Sequence, residues 1–394
     1  MSKKEVVIVA AKRTPIGAFQ GVFSSLSAVE LASAAIKGAL ESIHLESEHV
    51  EEVYMGCVLP AGLGQAPARQ ASMGAGIPNS VPCTTINKVC GSGMKTVMLS
   101  FDQLRLGDTN VIVAGGMESM TNAPYFLEKA RAGYRIGHGR MLDHMFYDGL
   151  EDSYYKGRLM GTFAEDTAEK YKFTRQDQDH FATESAKRAI HAIDKGWFDD
   201  EITPVIVKSK KGEESISVDE SPSKIDVDKI AKLRPAFKEN GTVTAANSSS
   251  ISDGAAAVVL MTAEYAKEKN YQPLATIKGH ATFAHEPEWF TTAPVGAIQK
   301  LCKTVGWEIE DVDLFEINEA FAVVAMAAMH DHKIPHEKVN VNGGACAIGH
   351  PLGASGTRLI VTLVHALKKQ DAKRGIAAIC LGGGEAVAIA IERG

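Results

Sequence analysis

The feature that most constrains this chain is a repeated order of segments. In the first half, PCTTINKVCGSG (82–93) runs into an apolar helical pattern and then into VIVAGG (111–116). In the second half, VNVNGGACAIGHPLGASG (339–356) runs into a helix with Leu359, Ile360, Leu363, Val364 and Leu367 on one face, then into IAAICLGGG (376–384). Each half reads strand, glycine-rich loop, helix, strand, glycine cluster. Two related halves meeting face to face would bring both loops to one site. The short runs Val6–Ala10, Val53–Val58 and Val111–Ala114 read as strands, and Met94, Val97, Met98, Phe101 and Leu104 recur at helical spacing. That alternation is α/β, with mixed or parallel sheets. The middle, about 121–250, breaks the pattern. It carries the charge runs KSKKGEE (208–214) and DVDK (226–229) and reads as an insertion that covers the site.

Composition narrows the function. With 45% hydrophobic and 23% charged residues in 394, the chain has ample core material and length for two or three domains. A net charge of −6 gives no electrostatic reason to expect nucleic acid or anionic membrane as a partner. No stretch of roughly 18 apolar residues is present to span a bilayer. The opening MSKKEVVIVAAKRTPIG reads as a first strand rather than a targeting leader. Cys57, Cys83, Cys90, Cys302, Cys346 and Cys380 form no C-x-x-C pair, so reduced thiols in a cytosolic-type compartment are expected.

Four residue types carry chemistry. Cys90 precedes a helix, whose dipole and backbone N–H groups would lower its thiol pKa and favour the nucleophilic thiolate. Alone, it would read as a small buried core residue; Gly91 and Gly93 leave room for an acyl group. His350, held extended by Pro351, is a loop histidine that would serve a thiolate as base or cationic partner. Cys346 and His350 lack the further ligands of a metal site, and no metal is expected. Cys380 lines up in the repeat with Gly115 and Gly116 and opens the triplet Gly382–Gly384, whose N–H groups would form an oxyanion hole; it too reads alternatively as a buried thiol. Asn318 and Glu319 sit at a strand-to-helix boundary, where asparagine either caps the helix or holds a water.

The elements RTPIGAFQG, GLGQAPARQ, NKVCGSGMK, AGGMESM, NEAFA, GGACAIGHPLGASG and CLGGG, in this order from about residue 5 to the C-terminus, resemble those of the thiolase family, most closely its short-chain biosynthetic branch. The resemblance implies the five-layered αβαβα thiolase fold. Residues 1–121 with 251–271 would form the N-terminal half, 122–250 a covering loop domain, and 272–394 the C-terminal half. It implies reversible Claisen condensation of two acetyl-CoA to acetoacetyl-CoA and CoA through an acyl-cysteine. Cys90 would be the nucleophile and His350 its activator, the latter also donating to the thioester oxygen. Asn318 would position the water that completes that oxyanion hole. The N–H groups of Cys90 and Gly382 would form a second oxyanion hole, and Cys380 would be the acid/base. Phe237, Ala245, Ser249 and Ile251 would line the CoA groove, Ala320 and Phe321 would sit beside the reacting end, and Leu150 and Met160 would come from the insertion. CoA thioesters are substrates, and no other cofactor is implied.

Three departures from the family pattern stand out. Leu159-Met160-Gly161 replaces a common His-Met-Gly. Pro222 falls near a basic adenine contact, with Lys224 or Lys208 as substitutes. Trp289-Phe290-Thr291-Thr292 introduces Phe290, expected to narrow the acyl pocket. Family members are mostly dimers or tetramers, and Pro124–Met145 would be a tetramer arm. The alternatives are a degradative 3-ketoacyl-CoA thiolase of broader chain length, a decarboxylating ketoacyl synthase, which would lack Cys380, and a non-catalytic CoA-binding protein.

Overall fold

The computed structural model describes residues 3–210 and 212–394; Met1, Ser2 and Lys211, the last within the charge run 208–214, lie outside the described residues. The first half contains β1 (Val6–Arg13), α1 (Ala28–Ser42), β2 (Glu52–Gly56), α2 (Pro67–Gly74), β3 (Cys83–Ile86), α3 (Ser92–Leu106) and β4 (Val111–Ser119). An insertion follows, with α4 (Met160–Tyr171), α5 (Arg175–Asp194) and the hairpin β5 (Val205–Ser209) and β6 (Gly212–Ile216). The chain then returns to the first half as β7 (Ser252–Thr262). The second half contains β8 (Ala275–Ala284), α6 (Ala293–Val305), β9 (Leu314–Ile317), α7 (Ala322–His332), α8 (Leu352–Lys369), β10 (Arg374–Leu381) and β11 (Glu385–Glu392).

The repeat read from the sequence is a repeat of topology. The first half orders its strands β3-β2-β4-β7-β1 and the second orders them β9-β10-β11-β8. A parallel bridge from Phe315 to Val339 stands where β3 pairs with β2. The first half pairs β3 with β2 and β2 with β4 in parallel, the second pairs β9 with β10 in parallel, and the remaining pairs are antiparallel. Among the described residues, the two sheets join edge to edge through the pairs Val7–Thr276 and Ile8–Ala275.

Alternation along the strands builds the layers. On β7, Val258 and Leu260 face one core, while Val259 and Met261 face another. The central core places Met94, Val97 and Phe101 of α3 and Leu359, Ile360 and Leu363 of α8 between the two sheets. An outer core packs Leu31 and Ile36 of α1 and Ala71 of α2 on the first sheet. The other packs Ile298 and Leu301 of α6 and Val323 and Val324 of α7 on the second. The arrangement is helix, sheet, helix, sheet, helix. The middle helix α8 is buried along almost its whole length, as a helix enclosed on all sides must be.

Glycines let α3 and α8 meet. A Cβ on Gly93 would stand 2.7 Å from the Gly353 carbonyl oxygen, one on Gly116 2.0 Å from the same oxygen, and one on Gly356 2.4 Å from the Met94 nitrogen. These obstacles are backbone, so no side-chain rotation relieves them.

The insertion sits between β4 and β7, where the second half needs only Gly382–Gly384 between β10 and β11. It spreads over both halves rather than forming one lid. The hairpin packs Val205, Val207 and Ile216 against the α1 layer. In α5, Ser185 bonds Glu319 of the second half. Arg13 of β1, fully buried, meets Asp219 at 2.7 and 2.9 Å and Glu201 at 2.6 Å. Removing one partner would strand a buried charge, at about 3–5 kcal/mol.

Replacing Gly116 with alanine is expected to destabilise the fold by about 3 kcal/mol or more, since overpacking here has no soft neighbour. Denaturant unfolding of Gly116→Ala against wild type measures it; an unchanged midpoint would contradict the packing account.

Candidate active site

Cys90 stands on a strained turn between β3 and α3. Asn87 Oδ1 accepts the Val89 N–H at 2.9 Å. Ser92 Oγ accepts the Lys88 N–H at 2.8 Å and donates to the Val89 carbonyl at 2.6 Å. Lys88 Nζ is tied to Glu385 at 2.6 Å. Together these hold Val89 at φ 47°, a left-handed conformation that a β-branched residue rarely adopts. Such strain costs on the order of 1–3 kcal/mol and persists where surroundings over-determine it. Opposite, Gly383 (φ 87°) and Gly384 (φ 81°) turn the chain between β10 and β11. The turn directs the Gly382 N–H to the Cys90 sulfur, which also receives the N–H of Cys90 itself.

Cys90 is half-buried, and desolvation decides its thiol's state. Desolvation pushes Cys90 up to about 12, outweighing the pull of these two N–H groups. The sequence expectation of a lowered pKa is therefore corrected. α3 starts only at Ser92 with Gly91 as cap, so Cys90 lies outside the helix, and its low-dielectric setting dominates. Cys380, buried near the end of β10, is also raised well above the usual thiol range, first by burial and then by Cys90.

His350 is 5% exposed. Its N–H donates to the Ser250 carbonyl at 3.1 Å, and its Nδ1 lies 2.5 Å from Ser355 Oγ. Ser355 donates onward to the Pro351 carbonyl at 2.9 Å, so it accepts from Nδ1–H. That leaves Nε2 with its lone pair, facing Asn318 Nδ2 at 3.4 Å. Burial, aided by the Arg358 charge, pushes the imidazole down to about 3, so it is a neutral base at physiological pH. Asn318 is fully buried, with Oδ1 lacking a protein partner, and its N–H donates to the Ala378 carbonyl. That bond sets Asn318 beside β10, two residues before Cys380. Glu319 accepts from Ser185 Oγ at 2.7 Å, Asn340 Nδ2 at 2.8 Å and the Cys346 N–H at 3.0 Å, bracing the loop that carries His350.

The expected CoA-side residues divide. Leu150 and Ile251 share one apolar cluster with Cys90, Val58, Leu59, Met120 and Leu352. Met160 opens α4, with its sulfur 4.0 Å from where a Gly382 Cβ would stand. The Phe237 ring lies over Gly161 and edge-on to Phe321, centroids 5.9 Å apart. Ser249 bonds the Ala320 carbonyl through both N–H and Oγ at 3.0 Å. Ala245 is exposed beside the Thr244–Asn247 turn. Phe290 is buried edge-on against Phe163 of α4, with centroids 6.2 Å apart. Lys208 pairs with Glu213 on the hairpin, Lys224 pairs with Glu220, and Pro222 is buried. Neither lysine is a free cation.

Sequence reasoning missed Ser355, Val89 and Glu118. Ser355 had a signal in its i+5 spacing from His350 across a helix start. The register also revises one equivalence. The last pairs of the two ladders are Ser119–Asp253 and Leu381–Glu385, so Cys380 corresponds to Glu118, not to Gly115 or Gly116. Among the described residues, no group of three or more His, Cys, Asp or Glu forms a metal-binding cluster.

Comparisons with known proteins agree with this architecture. The thiolase N-terminal domain model matches residues 6–264 and the thiolase C-terminal domain model matches residues 271–393. The chain belongs to the thiolase family. Acetyl-CoA acetyltransferase 2 of Arabidopsis thaliana is 52% identical over 395 residues, covering 100% of this chain and 98% of that protein. Acetyl-CoA acetyltransferase of Schizosaccharomyces pombe is 49% identical, covering 100% of both. Among solved structures, the Bacillus anthracis acetyl-CoA acetyltransferase superposes with a TM-score of 0.97 at 41% identity, covering 100% of this chain and 99% of that one. The Acat5 thiolase from Ascaris suum in complex with coenzyme A superposes at 0.93 with 43% identity, covering 99% and 100%.

Two outcomes follow from the site. Alkylation of Cys90 by iodoacetamide is expected to keep rising above pH 9.5, where an ordinary thiol of pKa about 8.5 has levelled off; a plateau near pH 9 would contradict the buried neutral thiol. Ser355→Ala frees the imidazole ring and is expected to slow acylation of Cys90 about ten-fold or more, read by rapid-quench kinetics with acetyl-CoA.

Proposed function

We propose that this protein is an acetyl-CoA C-acetyltransferase, interconverting two acetyl-CoA with acetoacetyl-CoA and CoA. The observation that carries the reading is the convergence of two thiols from opposite halves. Cys90 lies beneath the Gly382 N–H, Cys380 lies beside it, and a neutral histidine whose Nε2 lone pair faces Asn318 Nδ2 at 3.4 Å lies at the start of the facing helix. Full-length similarity to acetyl-CoA acetyltransferases supports the substrate assignment.

In the first half-reaction, Cys90 sulfur bonds the acetyl carbonyl carbon while its proton passes to His350 Nε2. The C–S bond to CoA then breaks, and CoA sulfur takes that proton. In the second, Cys380, once its own thiol proton has passed to His350 Nε2, removes a methyl proton from the second acetyl-CoA. The resulting carbanion bonds the acetyl carbon on Cys90, and the Cys90 C–S bond breaks as its sulfur takes the proton back from His350, releasing acetoacetyl-CoA. Preorganised N–H groups of Cys90 and Gly382 would hold one developing oxyanion, and His350 with a water on Asn318 the other. A buried Cys380 suits the role because a high-pKa thiolate is a base strong enough for a thioester α-proton.

CoA would run from Leu150 and Ile251 past Met160 toward Phe237, Ser249, Ala320, Phe321 and exposed Ala245, needing no further cofactor or metal. The exposed Tyr125, Leu127, Ile136 and Met141, the last two 96% and 67% exposed, form an apolar arm suited to a homotetramer. No described helix is long and apolar enough to cross a membrane, and the six cysteines are free; a reduced cytoplasmic setting fits both.

The test is loss of acetoacetyl-CoA absorbance on adding free CoA. Rapid turnover in wild type and a fall of about 100-fold or more in Cys380→Ala are expected. Turnover confined to longer 3-ketoacyl-CoA chains would move the assignment to the degradative branch.

A further inference from the structure

Glu118 is a buried carboxylate that the reaction above does not use. It is 0% exposed, one residue inside the end of β4, in the position that Cys380 holds in the second half. The two halves cross over. Cys380 of the second half reaches Cys90 ahead of α3 in the first. Glu118 of the first half reaches the start of α8 in the second. Its Oε2 accepts the Gly353 N–H at 2.8 Å and the Val58 N–H at 3.0 Å, and its Oε1 accepts the Leu59 N–H at 3.1 Å and the Cys57 thiol at 3.6 Å.

Those donors matter because of what they belong to. α8 has Pro351 as its cap residue and receives no cap from its own side chains. Gly353 N–H is one of its orphan donors, and a carboxylate at a helix N-terminus also meets the positive end of the dipole. His350 lies three residues before Gly353. Val58 and Leu59 pack in the apolar cluster that touches Cys90, Leu150 and Leu352. Gly353 admits nothing larger, since a Cβ there would stand 2.5 Å from the Met117 carbonyl oxygen and 3.0 Å from Glu118 Oε2.

We infer that Glu118 is a positioning residue: supplied from the other half of the chain, its carboxylate caps α8 and clamps it to loop 57–59, holding His350 in register with Cys90. The inference rests on the thiolase reading for its kinetic readout. The titratable groups facing Glu118 are Cys57 just past β2 and Cys90 ahead of α3. On β7 the residue opposite is Gly254, and its neighbour Asp253 already accepts the Thr121 N–H. Burial pushes Glu118 up to about 7, and its negative charge raises the Cys90 thiol. Above pH 7 the clamp is charged, and below it the charge is lost.

The test compares Glu118→Gln, which keeps the reach but not the charge, with Glu118→Asp, which keeps the charge but not the reach. Both are expected to lower kcat for acetoacetyl-CoA thiolysis about ten-fold or more, with KM for CoA within about two-fold. In Glu118→Gln, iodoacetamide should label Cys90 about three-fold faster than wild type at pH 9, with no difference at pH 5.5, where wild-type Glu118 is protonated too. Cys57 and Cys346 should stay unlabelled in the peptide map, which separates the effect from unfolding. The inference is overturned if both variants keep kcat within about two-fold of wild type. It is equally overturned if activity falls only as folded protein is lost while the Cys90 labelling ratio is the same at both pH values. The labelling arm needs no substrate, so an inactive wild type would count against the thiolase reading and leave the Glu118 comparison intact.

Discussion

The contact on which everything else rests is the close approach of α3 and α8 in the middle layer. Gly93 and Gly356 remove the side chains that would hold these helices apart, and Gly116 and Gly353 let α8 lie directly on β4. With both sheets packed around the pair, the residues just before each helix emerge at the same end of the molecule. Cys90 and His350, far apart in sequence, thereby stand just ahead of two helices that meet near their starts, at Gly93 and Gly353. The duplicated topology repeats the idea at the strand ends, where Glu118 and Cys380 each cross to the opposite half.

Electrostatics then set how the site works. Desolvation keeps the thiol and the imidazole neutral at rest, so in the proposed reaction charge would separate only as the thiol proton moves during attack. The Cys90 and Gly382 N–H groups are fixed by backbone turns and need no reorganisation when an oxyanion forms. Glu319 and Glu118 extend the same logic outward. Each carboxylate is buried, accepts several hydrogen bonds, and ties a loop bearing a reacting group to a rigid strand.

Much of this was legible in the sequence because it follows from local pattern. The apolar spacing from Met94 to Leu104 and the glycine clusters announced the repeat, and Cys90, Asn318, His350 and Cys380 stood in recognisable segments. What escaped depends on long-range contact. Glu118 looks like an ordinary acid until the fold places Val58, Leu59 and Gly353 around it. Cys90 looked activated by its helix because sequence shows the helix and not the burial. Lys208 and Lys224 have Glu213 and Glu220 as ion-pair partners, which only the folded turns bring to them. The strain at Val89 is a property of the turn that Asn87 and Ser92 enforce, and no residue type announces it.

The central claim is that Cys90 carries the acyl group and Cys380 moves the proton. Peptide mapping after acid quench from acetyl-CoA tests it most directly. The account predicts an acetyl group on the Cys90 peptide alone, in wild type and in Cys380→Ala alike, since the second thiol acts only after acylation. Acetylation of Cys380, or none on Cys90, would contradict it.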